Sequence, residues 1–167
     1  MKLQIVNKSN NPLPEYKTLG AVGLDLQANE SIVIQPGEKQ LVSTGLYIAV
    51  PDGYEAQIRP RSGLALNNNI TVLNTPGTID SDYRGEIKVI LYNASMVDSF
   101  NVNEGDRIAQ MIISPIVKVE LVEVQELDET ERGEGGFGST DAIETTMDLL
   151  DLYDEIPIDY VEEQEDF

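Results

Sequence analysis

The sequence predicts an all-β fold, either a sandwich or a jelly roll. From Leu3 to about Leu127, short β-branched runs are interrupted by Gly, Pro, Asn and Asp, and no helical period extends over more than a turn or two. Many short strands at roughly even spacing are typical of these two architectures. The predicted strands cover residues 3–7, 25–27, 32–34, 40–50, 55–59, 71–73, 86–92, 107–116 and 117–124.

Turn signals between these strands support the assignment. They are PGEK at residues 36–39, PDG at residues 51–53 and NEGD at residues 103–106. Proline fixes φ and glycine accepts positive φ, so such runs favour tight turns. At 167 residues the chain has room for one compact domain, which we place at residues 1–127. A glycine-rich segment at 128–141 and an acidic extension at 142–167 follow it.

The composition limits the chemistry that the chain can perform. It contains no cysteine, no histidine and no tryptophan. Disulfides, thiolate metal sites and an imidazole general base are therefore excluded. Any acid–base or metal chemistry must rest on carboxylates.

The charge is strongly acidic and unevenly distributed. The net charge is −19, which argues against direct nucleic-acid binding, because that needs clustered Lys and Arg. Residues 141–167 hold 11 of the 30 acids and no base, which leaves the first 140 residues with 19 acids, 11 bases and a net charge of −8.

The N-terminal run is polar and no stretch approaches the about 20 apolar residues that span a bilayer, so we expect a cytoplasmic protein without a membrane partner.

Two segments combine polar side chains with turn residues. In PRSGLAL (60–66), Arg61, Ser62 and Gly63 follow a strand and can present a guanidinium, a hydroxyl and backbone N–H groups to an anion. In NTPGTIDSDYRGEI (74–87), two tight turns bracket Asp80 and Tyr83 in a predicted β-hairpin, whose unpaired edges can face a flat heterocycle. Taken singly, each run is better explained by structure alone, as a surface arginine on a turn or as an ordinary acidic turn.

Two further polar residues lie on predicted strands. Gln110 follows the turn of GDRIAQMII (105–113), and Asp25 stands between apolar neighbours in VGLDLQA (22–28). A glutamine on such a strand usually faces solvent, but it can also point at a ligand. A carboxylate on a buried strand needs a cation or a partner, and a salt bridge to an arginine is as good an account as a metal.

The glycine-rich run RGEGGFGSTD (132–141) is predicted to order only on a ligand. Arg132, Phe137, Ser139 and Thr140 supply a cation, a stacking ring and two hydroxyls, which suit a lid over a nucleotide. The run lacks the GxxxxGK[ST] order of a phosphate-binding P-loop, and a disordered linker is the alternative. Beyond it, apolar residues at i, i+3, i+4 and i+7 from Leu149 to Ile156 are consistent with a short acidic helix, and a solvated, disordered tail is the alternative.

Together, in this order and spacing, these five segments closely resemble the five signature motifs of the trimeric deoxyuridine triphosphatases. The resemblance covers essentially residues 1–140. It implies a jelly-roll β-barrel subunit and a homotrimer whose three active sites are each assembled from all three chains. It also implies hydrolysis of dUTP to dUMP and pyrophosphate with Mg²⁺, a reaction that limits uracil in DNA and supplies dUMP for thymidylate synthesis.

The resemblance also assigns roles to the third-motif residues. Asp80 resembles the general base that deprotonates the water attacking the α-phosphorus. Tyr83 resembles the residue under the deoxyribose, where a 2′-hydroxyl would collide. The uracil edge is expected to be recognised by the hairpin residues Asn74, Gly77, Thr78 and Ile79.

The remaining motifs correspond to the triphosphate surroundings. Arg61, Ser62, Gly63 and Gln110 match the groups near the phosphates, and Asp25 matches the carboxylate that holds Mg²⁺ through water. The lid residues bind the γ-phosphate and cover the uracil, and they are Arg132, Phe137, Gly138, Ser139 and Thr140.

Two departures from the family pattern stand out. Asp141 occupies the position where the last motif usually ends in glycine, and a further 26 residues follow. Two alternative functions remain open. A dCTP deaminase-like enzyme of the same fold would convert dCTP to a uracil nucleotide, and a dUTP-responsive binding module would engage a protein partner through the acidic tail.

Overall fold

The structure, a computed structural model, describes residues 1–137. The chain divides into two units, Met1–Glu120 and Leu121–Phe167. All of the regular secondary structure in the described part lies in the first unit. Its strands are β1 (Gln4–Asn7), β2 (Leu24–Gln27), β3 (Ile32–Ile34), β4 (Lys39–Ala49), β5 (Tyr54–Arg59), β6 (Ile70–Val72), β7 (Gly77–Ile79), β8 (Ile87–Asn93), β9 (Phe100–Val102) and β10 (Arg107–Pro115), and its helix is α1 (Ser62–Asn68).

Two four-stranded sheets and one two-stranded sheet form the first unit. The strand orders are β1-β4-β8-β6, β2-β10-β5-β7 and β3-β9, and each pair is antiparallel. Apolar side chains from all three sheets meet in one core, including Leu91 of β8, Met111 of β10 and Val102 of β9. The predicted all-β class is therefore confirmed.

Eight of the nine predicted strands form within one residue of their predicted bounds. The glycines of the three turn signals, Gly37, Gly53 and Gly105, all have positive φ, at 71°, 79° and 89°. A left-handed backbone is nearly free for glycine and costly for other residues, which explains why these turns are local sequence signals.

The ninth prediction, a strand at residues 117–124, is wrong. These residues form no strand in the described structure, and Val117 and Val119 are 87% and 73% exposed. The alternating pattern is that of a half-buried strand, but no strand among residues 1–137 pairs with it. Two short strands, β7 and β9, were not predicted.

PRSGLAL was expected to be a turn, but most of it forms the helix α1. The helix ends at Asn69, whose left-handed backbone (φ 57°) lets its N–H donate to the Leu64 carbonyl. Leu64 packs partly against the core. A helix of seven residues, about two turns, with a single leucine packed against the core is too short to give a detectable helical pattern. No helix among the described residues is long and apolar enough to cross a membrane.

Candidate active site

A cleft beside β7 gathers most of the residues of the third sequence segment. It has a volume of about 520 Å³ and is bordered by Asn74, Thr78, Ile79, Asp80 and Tyr83. The opposite wall is formed by residues of β4, β8 and the chain before β8, which are Leu41, Tyr47, Glu86, Lys88 and Ile90. The structure therefore brings the predicted base, the predicted sugar-packing ring and three predicted base-recognition residues into one space.

The predicted β-hairpin over residues 74–87 does not form. β7 pairs with β5 in one sheet, whereas β8 pairs with β4 and β6 in the other. Residues 80–86 therefore cross from one sheet to the other, and we call them the crossing segment. Its tight turn is closed by the Tyr83 N–H, which donates to the Asp80 carbonyl at 3.2 Å. Sequence alone could not separate a hairpin from this crossing, because both need the same turn residues.

β7 lies at an edge of its sheet, so one side of its backbone has no neighbouring strand among the described residues. Such an edge offers a row of N–H and C=O groups to a ligand. Gly77 is buried, and a Cβ there would lie 3.1 Å from the Asn74 side-chain nitrogen. The glycine therefore lets the Asn74 amide approach the start of the edge strand.

Asp80 comes directly after β7 and is exposed. Among residues 1–137, no ion pair or side-chain hydrogen bond engages its carboxylate. A carboxylate in this state has a lone pair available to accept a proton from water. Tyr83 is 43% exposed, and its hydroxyl donates to the Glu86 carbonyl at 3.1 Å.

A second polar cluster lies on the outer face of the other sheet. Asp25 Oδ1 accepts from Arg61 Nε at 3.1 Å, and Asp25 Oδ2 accepts from Arg107 Nη1 at 3.0 Å. Arg61 also donates to the Arg107 carbonyl at 3.1 Å. The alternative of a salt bridge at Asp25 is therefore what the structure contains. Two guanidiniums around one carboxylate leave this cluster with a net positive charge.

Gln110 belongs to the same face, because it pairs with Asp25 on one side and Arg59 on the other. Its amide nitrogen donates to the Pro60 carbonyl at 2.9 Å, and a Cβ at Gly23 would lie 2.7 Å from its amide oxygen. The glycine therefore makes room for the glutamine.

Ser62 and Gly63 begin α1 and are exposed. None of the residues of this second cluster lines the cleft that holds Asp80. Asp25 and Arg107 instead border a separate recess of about 70 Å³. Within one chain, the second group of predicted site residues thus lies outside the cleft that holds Asp80.

Sequence reasoning missed Arg107 and Glu86. Arg107 stands three positions before Gln110 in GDRIAQ, and a cation at the start of this predicted strand was the available signal. Glu86 had no local signal, because its partners Ser43 and Gly45 are remote in sequence.

Arg132 and Phe137 belong to the second unit. The Arg132 side chain donates from Nε to the Gly135 carbonyl at 2.7 Å, and Phe137 is fully exposed with φ 50°. Gly138, Ser139, Thr140 and the predicted acidic helix lie outside the described residues.

Comparison with known proteins decides the family. A family model described as dUTPase matches residues 9–141, which is most of the chain. The chain belongs to the dUTPase family. The match extends over all five segments, from Asp25 to Thr140, and it makes this dUTPase an enzyme of the nucleotidohydrolase class.

Curated relatives agree with this dUTPase assignment. The deoxyuridine 5′-triphosphate nucleotidohydrolase of Finegoldia magna is 53% identical over 122 residues, covering 72% of this chain and 85% of the relative. That of Hydrogenobaculum sp. is 58% identical over 124 residues, covering 73% and 85%. A solved Staphylococcus bacteriophage 80alpha dUTPase, described with dUPNHPP, is 28% identical with a TM-score of 0.77, covering 83% of this chain and 97% of that one.

Proposed function

We propose that this dUTPase hydrolyses dUTP to dUMP and pyrophosphate, with Asp80 as the general base. The observation that carries the proposal is the cleft itself, in which an unengaged carboxylate lies beside the aromatic ring of Tyr83 and the exposed edge of β7. The residues on its walls account for recognition of the base and the sugar, and Asp80 accounts for the chemistry.

Base recognition is assigned to the edge strand. Asn74 and the backbone from Gly77 to Ile79 offer amide donors and acceptors in a fixed row, which matches the uracil edge and not the reversed pattern of cytosine. A polar row of this kind discriminates strongly once a bound base covers it, because a wrong base leaves groups unpaired. Tyr83 excludes the 2′-hydroxyl of a ribonucleotide by occupying the space beneath the sugar.

The chemical step needs a base that is within reach of water. Asp80 accepts a proton from the water as its oxygen forms a bond to the α-phosphorus. The bond from the α-phosphorus to the bridging oxygen breaks, and pyrophosphate leaves with that electron pair. A carboxylate suffices here because the attack and proton transfer occur together, and the chain has no histidine to replace it.

The positive cluster is assigned to the triphosphate. Arg61, with Ser62 and Gly63 at the start of α1, and Gln110 supply donors to phosphate oxygens. Each Asp25 oxygen accepts one hydrogen bond from an arginine and keeps a further lone pair, so Asp25 fits Mg²⁺ held through water, because this ion keeps several waters and is bound through one or two carboxylates and substrate phosphates. When bound, Mg²⁺ supplies charge neutralisation along the triphosphate. The lid residues, from Arg132 and Phe137 to Thr140, complete the site.

A homotrimer in which each active site is formed by more than one chain explains why these two groups of residues are separated within a single chain. Asp80 and the Arg61 cluster do not share a cavity within one chain, so a complete site needs a second copy. The exposed apolar residues Val117 and Val119, in a segment with the pattern of a strand, also indicate a surface that another chain covers.

The deciding experiment incubates the protein and Mg²⁺ with dUTP, UTP, dCTP or dTTP and measures pyrophosphate. Release from dUTP alone is the expected result. Conversion of dCTP to a uracil nucleotide with loss of ammonia would instead favour the deaminase alternative. Sedimentation or light scattering on the same sample measures the mass, and a monomer with full activity would contradict the shared-site proposal.

A further inference from the structure

Glu86, the residue before β8, is a largely buried carboxylate for which the proposed mechanism has no role. Its side chain is 17% exposed. One carboxylate oxygen accepts from the Ser43 hydroxyl and from the Gly45 N–H, the latter at 2.9 Å. The other lies 3.6 Å from the Lys88 ammonium. A buried carboxylate with three partners is held firmly in one place.

The partners of Glu86 are fixed because they form a bulge in β4. The pairing of β4 with β8 shifts register between Ser43 and Leu46. Gly45 has φ 69°, and a Cβ there would lie 2.8 Å from Ser9. Bulges leave ladder groups unpaired, and here the Glu86 carboxylate accepts the N–H that the bulge frees.

The backbone of Glu86 in turn holds the Tyr83 ring. The Tyr83 hydroxyl donates to the Glu86 carbonyl at 3.1 Å. The ring also packs directly on Gly85, where a Cβ would lie only 2.2 Å from the hydroxyl oxygen. Because Tyr83 is 43% exposed, these two contacts are its main restraints on the described chain.

We infer that Glu86 is a positioning residue for Tyr83 and thereby sets the discrimination of deoxyribose from ribose. This inference rests on the proposed function. The Glu86 carboxylate fixes residue 86 to the β4 bulge, and the carbonyl of residue 86 accepts a hydrogen bond from the Tyr83 hydroxyl. The ring, held in place, then excludes a 2′-hydroxyl. A ring free to tilt would leave space for that hydroxyl.

The ionisation state of Glu86 agrees with this arrangement. Burial alone would raise its pKa, but the hydrogen bonds from Ser43 and Gly45 and the nearby Lys88 ammonium outweigh it, so the pKa of Glu86 is lowered. The carboxylate is therefore an anion at neutral pH, and its hydrogen bonds are charge-assisted.

The test compares kcat/KM for dUTP and for UTP in the parent, Glu86→Ala and Glu86→Gln. Glu86→Ala removes the charge-assisted hydrogen bonds that hold residue 86. The ratio of kcat/KM for UTP to kcat/KM for dUTP should therefore rise about 10-fold. Glu86→Gln keeps an acceptor oxygen for Ser43 and Gly45, so its ratio should stay within about 3-fold of the parent. Should Glu86→Ala fail to fold, Ser43→Ala removes one donor from the intact carboxylate and should shift the ratio in the same direction.

Glu30→Ala is the matched control. Glu30 also binds the bulge, accepting from the Ser43 N–H at 2.7 Å, but among residues 1–137 no hydrogen bond or ion pair joins it to Glu86 or Tyr83. The Glu30→Ala variant should be less stable than the parent, but its ratio of kcat/KM for UTP to kcat/KM for dUTP should be unchanged. An unchanged ratio in the Glu86 and Ser43 variants, or an equal shift in Glu30→Ala, would overturn the inference while the parent still hydrolyses dUTP. A parent that does not hydrolyse dUTP would overturn the proposed function as well.

Discussion

The Arg61 guanidinium lies 3.1 Å from the Asp25 carboxylate, although the two residues are 36 positions apart in the chain. Arg107 engages the other Asp25 oxygen from 82 positions away. Asp25 is only 18% exposed, so it is a shared anchor that orients two cations on one face of the sheet. The cluster is thus prepared for an anion before any ligand binds.

Arg107 is expected to matter for substrate binding more than for turnover. Arg107→Gln removes one of the two charges that Asp25 orients, and we expect KM for dUTP to rise about 10-fold with a smaller change in kcat. Arg107→Lys keeps the charge and should recover part of the loss. Arg59→Gln is the control, because Arg59 bonds Gln57 and makes no contact with Asp25. Equal KM values for Arg107→Gln and the parent would contradict this role.

Asp80→Asn should separate binding from chemistry. The amide keeps the shape of the side chain but cannot take a proton, so turnover should fall at least ~100-fold while affinity for dUTP is retained. Steady-state kinetics and titration with a non-hydrolysable analogue measure the two quantities separately. Turnover at the parent rate would mean that another group acts as the base.

The stability of the protein should depend on pH through Glu86. Its pKa in the folded protein is lowered from the ordinary value of 4.5, so its ionised form stabilises the fold. That contribution is fully present above the pKa of the unfolded chain and is lost as pH falls through the lower, folded-state pKa. The difference in unfolding free energy between the parent and Glu86→Gln should therefore shrink from about pH 7 to about pH 3. Urea unfolding at a series of pH values measures it, and a difference that stays constant would refute the assignment.

Two truncations distinguish the lid from the acidic tail. Removing residues 132–167 leaves every described strand and the core intact, so the protein should fold but retain little dUTP hydrolysis. Removing only residues 142–167 should leave kcat/KM at the parent value. If removal of residues 142–167 alone abolishes turnover, the acidic tail belongs to the active site. If that removal instead abolishes binding of a co-purifying protein, the result would support a protein partner for the tail.

Local patterns in the sequence predicted much of the fold. The positions of β2, β4 and β10 followed from alternating residues, and the turns at Gly37 and Gly105 from the conformational freedom of glycine. These predictions succeed because period and turn chemistry are properties of adjacent residues. The residues of the crossing segment could also be identified together from the sequence as part of a candidate site, because they are contiguous in the chain.

The sequence by itself determined the all-β class, the family resemblance and the reliance on carboxylates in a chain without histidine. Only the tertiary structure decided which strands pair, that the crossing segment (residues 80–86) runs from one sheet to the other, and that Asp25 holds Arg61 and Arg107. The same is true of Glu86, whose partners lie on β4. The reason is physical: a period along the chain reports which face a residue occupies, whereas contacts between remote strands depend on how the sheets pack and carry no local signal.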